Sequence, residues 1–393
     1  MHLFLNGLGA SAGAGLTYLY NVVPHLSALP NVRTTLAVQS HLRREFDRVP
    51  GITLIDAYAP TGAARRFWFE QHKLPELIRK SGADVLISAG NFALRKSPVP
   101  QILLSGNSLY TSGDFYHDLH SRGEYGTSLD TRIKGIFARK SIHWADRTVA
   151  PSQAFADELQ RWTGKQVTAI HHGFDHEAFF RDQSPLPEDV QEKLESGKGH
   201  LRLLFVSHYN YYRNFETLFR AIPLLRQTLN GRKVRLFLTC KLQDSENPGA
   251  YRTNQAAALI DQLGIREEVV ELGTVPYRLL HQVYRACDIY VTTAYTETFA
   301  HPLVEAMASR LPIVASDLPV HREVCGEAAE YFPSFHVEDL AKRVATVFAS
   351  KDLRSAKAEH GRTRSLAFSW DKHVHMILEL LDKAATHDFS CRG

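Results

Sequence analysis

The sequence is poor in the residues that make an assignment easy. Its four cysteines, Cys240, Cys287, Cys325 and Cys391, form no C-x-x-C pair and no metal-ligand spacing. Neither a disulfide framework nor a zinc site is indicated, and reduced thiols in a cytosolic chain are expected. No run approaches the roughly 18 consecutive apolar residues of a membrane span. The opening "MHLFLNGLGASAGAG" lacks a basic segment before its apolar one, which speaks against a signal peptide. Neither sign of charge prevails: 46 Lys and Arg stand against 42 Asp and Glu, a net +4, without long blocks. That balance argues against a nucleic-acid binder. What is present is an ordinary soluble mixture, 44% hydrophobic and 22% charged, over 393 residues, long enough for two domains.

Short apolar runs alternate with amphipathic segments. "HLFLN", "VRTTLAVQ", "ITLIDAY", "ADVLISAG", "QILLSGN", "RTVAPS" and "QVTAIHHG" read as strands, separated by helical patterns such as "FWFEQHKLPELIRKSG" and "QAFADELQRWTG". Such alternation implies a parallel sheet covered on both faces. A polar, proline-bearing stretch, "RDQSPLPEDVQEKLESGKGH", interrupts it, and the pattern then restarts with "LRLLFVSH", "KVRLFLTC", "VVELGTV", "IYVTTAY" and "PIVAS". The expectation is α/β: two doubly wound, Rossmann-like domains facing across a cleft. Their bounds are 1–181 and 201–367, with a linker at 182–200 and a C-terminal helical segment, 368–393, crossing back to the first domain. Ligands of such sheets bind at the carboxyl ends of the strands.

One stretch stands out there: "TETFAHPLVEAMASR", with Glu297 and Glu305 separated by seven residues. Pro302 is suited to open a helix running to about Arg310, which leaves Glu297 in the preceding loop and Glu305 one turn inside. The first amides of a helix lack internal partners and attract anions. A diphosphate at the helix start, with one carboxylate on a sugar and the other on a ribose, would fit this order. Glutamates that merely complement the helix dipole would fit it too.

The surrounding run, "ELGTVPYRLLHQVYRACDIYVTTAYTETFAHPLVEAMASRLPIVASDLPVHREVCGEAAEYF", resembles the GT-B glycosyltransferases of family 4 (glycosyltransferase group 1). These share a G-x-V turn, an E-x7-E motif, an "EAMA" helix start and a "PIVAS" strand in this order. The resemblance is close in the second half and looser in the first. It implies that Glu297 faces the transferred sugar, Glu305 holds the ribose, and the loop amides of Thr298, Phe299 and Ala300 meet the diphosphate. Relatives usually carry glycine where Arg310 stands, which bears on how the helix ends. Arg213, in "SHYNYYRNFETLFRA", matches the family's basic phosphate clamp, although a solvated arginine before a helix would look the same. Where many relatives have a second arginine this chain has Ser207 and His208, and His208 is the candidate replacement. Gly273 and Val275, in "LGTV", match the turn whose backbone meets the nucleotide base, or simply end a strand.

In the first half, "SAGAGLTYLYN" opens a helix after strand one. By the resemblance Gly15 touches diphosphate and acceptor, with Gly13 offset by one. Asn107 stands where relatives carry a histidine near the sugar, and residues 108–126, including Tyr110, are expected to shape the acceptor pocket. His171 and His172 replace a proline-asparagine pair and read as structural, since adjacent histidines lack metal-binding geometry. The resemblance implies a retaining enzyme moving a sugar from a UDP- or GDP-linked donor to a hydroxyl of a glycan or lipid-linked acceptor, without a bound metal or other cofactor. The setting it suggests is cell-envelope polysaccharide or glycoconjugate synthesis. Rival readings are a nucleotide-sugar epimerase and a non-catalytic nucleotide-sugar-binding protein. Residues 63–80, basic with Phe67, Trp68 and Phe69 in sequence, suggest peripheral contact with an anionic membrane at its cytoplasmic face, or aromatics filling a crossover helix.

Overall fold

A computed structural model describes residues 1–10, 13–57, 60, 62–229, 231–247 and 251–387. Its contacts divide the chain into two units, residues 1–112, 123–173 and 369–393 in the first, and 113–122 with 174–368 in the second.

The first unit is built on seven parallel strands: β1 (His2–Asn6), β2 (Arg33–Gln39), β3 (Ile52–Ala57), β4 (Val85–Ala89), β5 (Gln101–Leu104), β6 (Arg147–Ala150) and β7 (Thr168–Ala169). They lie in the order β3-β2-β1-β4-β5-β6-β7. Every residue of β1 and β4 is buried, as strands covered on both faces require. The order reverses between β1 and β4, and there the chain closes up tightly. A side chain at Gly9 would sit 3.3 Å from the Cα of Gly90, so only glycine allows the two loops to meet.

The last helix, Trp370–His387, presents Trp370, Val374, Ile377 and Leu381 to the first unit's core, where they join Tyr18, Leu19 and Val22 of helix Gly13–Ser27. Its His373 is buried between Tyr18 Oη (3.1 Å) and the carbonyl of His171 (2.8 Å), and burial lowers its pKa to about 4. The ring of His172 stacks on Trp370 at 5.5 Å. Both histidines of that pair thus anchor the returning helix. Residues 388–393 of the expected C-terminal segment lie outside the described residues.

The second unit holds six parallel strands, β8 (Leu201–Phe205), β9 (Val234–Leu238), β10 (Val269–Glu271), β11 (Ile289–Thr292), β12 (Ile313–Ser316) and β13 (Ala329–Phe332), in the order β10-β9-β8-β11-β12-β13. Strand β13 has no counterpart among the sequence-predicted strands. Two departures concern the boundaries. Residues 182–200, read as a linker, contain helix Glu188–Glu195, whose Val190 and Leu194 are buried, and they belong to the second unit. The division falls at 173/174, ahead of 181. In addition, residues 113–122 of the first half are counted with the second unit.

Candidate functional site

The second sheet reverses its order between β8 and β11, which pair through Ile289 with Leu203 and Tyr290 with Leu204. The loops leaving these neighbours are therefore side by side at the switch point, where open α/β sheets bind ligands. The β11 loop, residues 293–300, runs into helix His301–Ala308, with Pro302 in its first turn. Thr293 Oγ1 donates to the carbonyls of Arg213 (2.9 Å) and Asn214 (2.8 Å), and the Tyr295 amide donates to the carbonyl of Tyr212 (3.1 Å). The two loops are thus one fastened assembly.

Arg213 and Glu297 meet across it, Nη1 to Oε2. Burial works against the Arg213 charge, but the Glu297 carboxylate outweighs it and raises the guanidinium pKa. The guanidinium also lies over the Tyr212 ring at 5.3 Å, and its buried Nε has no hydrogen-bond partner. Sequence reasoning gave these residues separate duties, on phosphate and on sugar; the fold makes them an ion pair. Asn214 follows at φ 53 and precedes helix Phe215–Thr228. Asparagine tolerates that left-handed conformation better than most residues.

Glu305 lies one turn inside the helix, 5% exposed, with Tyr284 Oη donating to its Oε2 at 2.8 Å. Burial raises its pKa to about 7, and the Tyr284 bond only partly opposes that shift. Between the two glutamates, Glu297 Oε1 accepts from the Thr298 amide (3.3 Å), and Phe299 is buried against Phe368 at 5.4 Å. Ala300 caps the helix at φ 63, a strained conformation for a residue with a Cβ, of the kind that collects at functional sites. The helix ends at Ala308, and Arg310 follows at φ 58, with the Leu311 amide donating to the carbonyl of Ala306. This left-handed turn explains why glycine suits the position.

His208 is exposed on the β8 loop, and partial burial together with the Arg213 charge lowers its pKa. Gly273 adopts φ 79 just past β10, and Val275 is buried two residues on. Of the first-unit candidates, Gly13 opens helix Gly13–Ser27, and Gly15 packs on Ala10, 3.2 Å from where a Cβ would stand. Asn107 uses its side chain on the Leu109 amide (3.0 Å), and Tyr110 lies against Gly135. Ser11 and Ala12, just before Gly13, lie outside the described residues.

Three features escaped the sequence. His321 is wholly buried; its Nδ1 lies 2.8 Å from the Ser316 carbonyl, its Nε2 has no partner, and it feels the charges of both Glu297 and Arg213. Tyr284 is identified only by its contact with Glu305. The third is helix Gly113–Ser121 with the adjoining Arg122. Arg122 Nε donates to Asp118 (2.7 Å) and Nη1 to the buried Glu216 (3.0 Å), while its guanidinium lies 4.3 Å over the Tyr211 ring. Tyr295 donates to Asp118 (2.9 Å) and Tyr209 to Glu216 (2.8 Å). The segment expected to shape an acceptor pocket is thereby bonded to Tyr295, two residues before Glu297. Among the described residues no three His, Cys, Asp or Glu side chains form a metal-binding group.

Comparison with known proteins agrees with this architecture. Residues 188–364 match the family described as Glycosyl transferases group 1, and residues 16–178 match Glycosyltransferase Family 4. A D-inositol 3-phosphate glycosyltransferase of Nocardia farcinica is 32% identical over 262 residues, covering 65% of this chain and 56% of that protein. The Escherichia coli serotype-specific mannosyltransferase WbdA is 22% identical over 366 residues, covering 85% of this chain and 42% of that one. The chain spans about half the length of the curated relatives it matches. Among solved structures, sucrose-phosphate synthase from Thermosynechococcus elongatus has a TM-score of 0.76 at 17% identity, covering 98% of each chain. Anabaena HepE in complex with UDP-glucose has a TM-score of 0.71 at 15% identity, covering 98% of this chain and 100% of that one. These two likenesses show the fold, GT-B with two Rossmann-like units. The two family models lie one in each half and together account for most of the chain, and the chain belongs to the group 1 glycosyltransferases of family 4.

Proposed function

We propose that this protein is a retaining glycosyltransferase that takes a sugar from a UDP- or GDP-linked donor held on the second unit. The observation that carries the reading is the Arg213–Glu297 ion pair at the switch point, beside a helix start that has Glu305 one turn inside. In this reading the ribose hydroxyls donate to Glu305 and the diphosphate lies against the first amides of helix His301–Ala308, in reach of Arg213. Glu297 orients the sugar and balances the positive charge that develops at its anomeric carbon. Gly273 and Val275 offer backbone to the base. Negative charge grows on the leaving diphosphate as the glycosidic bond breaks, so a fixed guanidinium stabilises the transition state more than the ground state. The acceptor hydroxyl attacks the face that the diphosphate leaves, and the departing phosphate oxygen takes its proton, so no separate general base is needed.

The donor must also compete for Arg213 with Glu297. That competition gives the ion pair a role: the carboxylate holds the cation in place before the diphosphate arrives. The first unit, with Gly13, Gly15, Asn107 and Tyr110, is assigned to a glycan or lipid-linked acceptor, and catalysis is assigned to the protein's own groups without a metal. One observation favours a weaker, binding-only role: where relatives place a second arginine, this chain has Ser207 and His208, whose pKa is lowered by partial burial and by the Arg213 charge.

A panel of labelled nucleotide sugars, with and without chelator, tests all of this. Nucleotide release with sugar transfer or slow hydrolysis supports the proposal, an isomerised donor supports an epimerase, and binding without turnover supports the weaker role. Glu297→Ala and Arg213→Ala should each lower transfer at least about tenfold, roughly 1.4 kcal/mol in the barrier. Wild-type rates in both variants would remove the assignment.

A further inference from the structure

The turns that lead into β8 and β9 are glycine-bearing and basic, "GKGH" at 197–200 and "GRK" at 231–233. The two strands pair in parallel from their first residues, Leu201 with Val234, and the Leu201 amide donates to the Lys233 carbonyl at 2.9 Å. On the other side of β8, Asp288 leads into β11, and its amide donates to the Arg202 carbonyl at 2.9 Å. Helix Val337–Ala349 ends beside these three strand starts and helix Lys351–Ser365 begins there. Together they enclose a cavity of about 580 Å³, a volume suited to a small molecule. Four of the side chains in its wall are Lys or Arg (Lys198, Arg202, Arg232 and Arg354), against one carboxylate, Asp288. The cavity is not the site described above. Arg213 and Glu297 lie on loops at the opposite, carboxyl ends of β8 and β11, and β8 alone, five residues long, spans about 17 Å.

The four cations differ in what already holds them. Arg202 is committed to Asp288, Nη2 to Oδ1 at 2.9 Å and Nε to Oδ2 at 3.3 Å. Lys198 pairs with Glu195, but both side chains are exposed, and such a pair is worth little. Arg354 donates through Nη1 to the carbonyls of Val347 and Phe348 at the end of helix Val337–Ala349, and it pairs with no carboxylate among the described residues. Arg232 is exposed, and among the described residues its guanidinium has neither a hydrogen-bond nor an ion-pair partner. Both guanidiniums lie over one ring, that of Phe348, at 4.8 Å for Arg232 and 5.6 Å for Arg354. Like charges gathered on one ring repel, and a bound anion relieves that repulsion. The wall also holds His200, whose Nδ1 lies 3.1 Å from the Lys198 carbonyl and whose buried Nε2 has no partner. We propose that this cavity is a second ligand site, taking a small phosphorylated molecule apart from the nucleotide-sugar donor. Guanidinium groups match phosphate oxygens in geometry. A phosphate carries close to two negative charges, which answers two unpaired arginines where a carboxylate would leave one over.

The test is calorimetric titration of the full-length protein with inorganic pyrophosphate, and two single variants separate the cavity from the proposed donor site. Arg232→Ser should weaken the binding at least about tenfold, the size of one lost charge-assisted hydrogen bond, and Arg232→Lys should restore part of it. Because Arg232 is exposed, the serine variant should keep the wild-type melting temperature when no pyrophosphate is present. Arg213→Gln, at the other end of the strands, should leave the Arg232-dependent binding in place. Pyrophosphate binding that is absent in the wild type, unchanged in Arg232→Ser, or abolished by Arg213→Gln alone would overturn the proposal. So would acetate bound as tightly as pyrophosphate. The readout needs neither turnover nor a donor sugar, so its failure is distinct from that of the proposed transferase reaction.

Discussion

Replacing Glu305 by glutamine should make the protein more stable and worse at holding nucleotide. The carboxyl is 5% exposed, and burial moves its pKa from 4.5 to about 7. The folded state holds this proton more tightly than the unfolded chain does. The group therefore carries no penalty below about pH 4.5, and the penalty grows as pH rises through 7. A shift of that size corresponds to roughly 3 kcal/mol in the ionised state, an upper bound for what the wild type gives up. Glu305→Gln keeps an acceptor for Tyr284 Oη and never ionises. Its unfolding free energy should match the wild type near pH 4.5 and exceed it increasingly up to pH 8. Glu70, in the first unit, is also raised to about 7 by burial, but it is common to both proteins and cancels in the difference. Ribose hydroxyls bond more strongly to a carboxylate than to an amide by about 1–1.5 kcal/mol, so the variant should bind UDP or GDP about tenfold more weakly at pH 8. Urea titrations across pH with calorimetric binding would check both halves. A variant less stable than wild type at pH 8, or one of unchanged affinity, would refute the reasoning.

Arg122→Ala should leave Glu216 buried without its cation and release residues 113–122 from the second unit. A loss of about 3 kcal/mol is expected for breaking a partly buried pair, with faster proteolysis and hydrogen exchange in that segment; unchanged protection there would contradict the role. Arg310→Gly should relieve a left-handed residue and raise stability by about 1 kcal/mol, read as a higher urea midpoint, and a fall would show that the Arg310 side chain matters more than its backbone.

What the sequence made legible follows the strength of its local signals. Strands such as "LRLLF" and "IVAS" are mostly apolar because they are covered on both faces, and Pro302 and Arg310 marked the two ends of one short helix. Strand β13, "AEYF", lies at the sheet edge with Glu330 and Tyr331 half-exposed, so its pattern is too weak and too short to announce itself. The Arg213–Glu297 pair joins residues 84 apart in the chain, and no local pattern encodes it; the β8–β11 adjacency does. Helix Tyr125–Trp144 has bulky apolar residues on the outside and small ones within, so spacing alone gives a helix and the wrong face. The placement of residues 113–122 was illegible because its determinants, Glu216 and Tyr295, belong to loops far along the chain.

That last segment bears on how the protein could be taken apart. A fragment beginning at residue 174 would contain all six strands of the second sheet, yet it would leave Tyr295 without Asp118 and Glu216 without Arg122. Chimeras that exchange halves with a relative would inherit the same gap unless the ten residues 113–122 travel with the half they serve. The unit of inheritance here is discontinuous, and a cut placed between the sheets severs it.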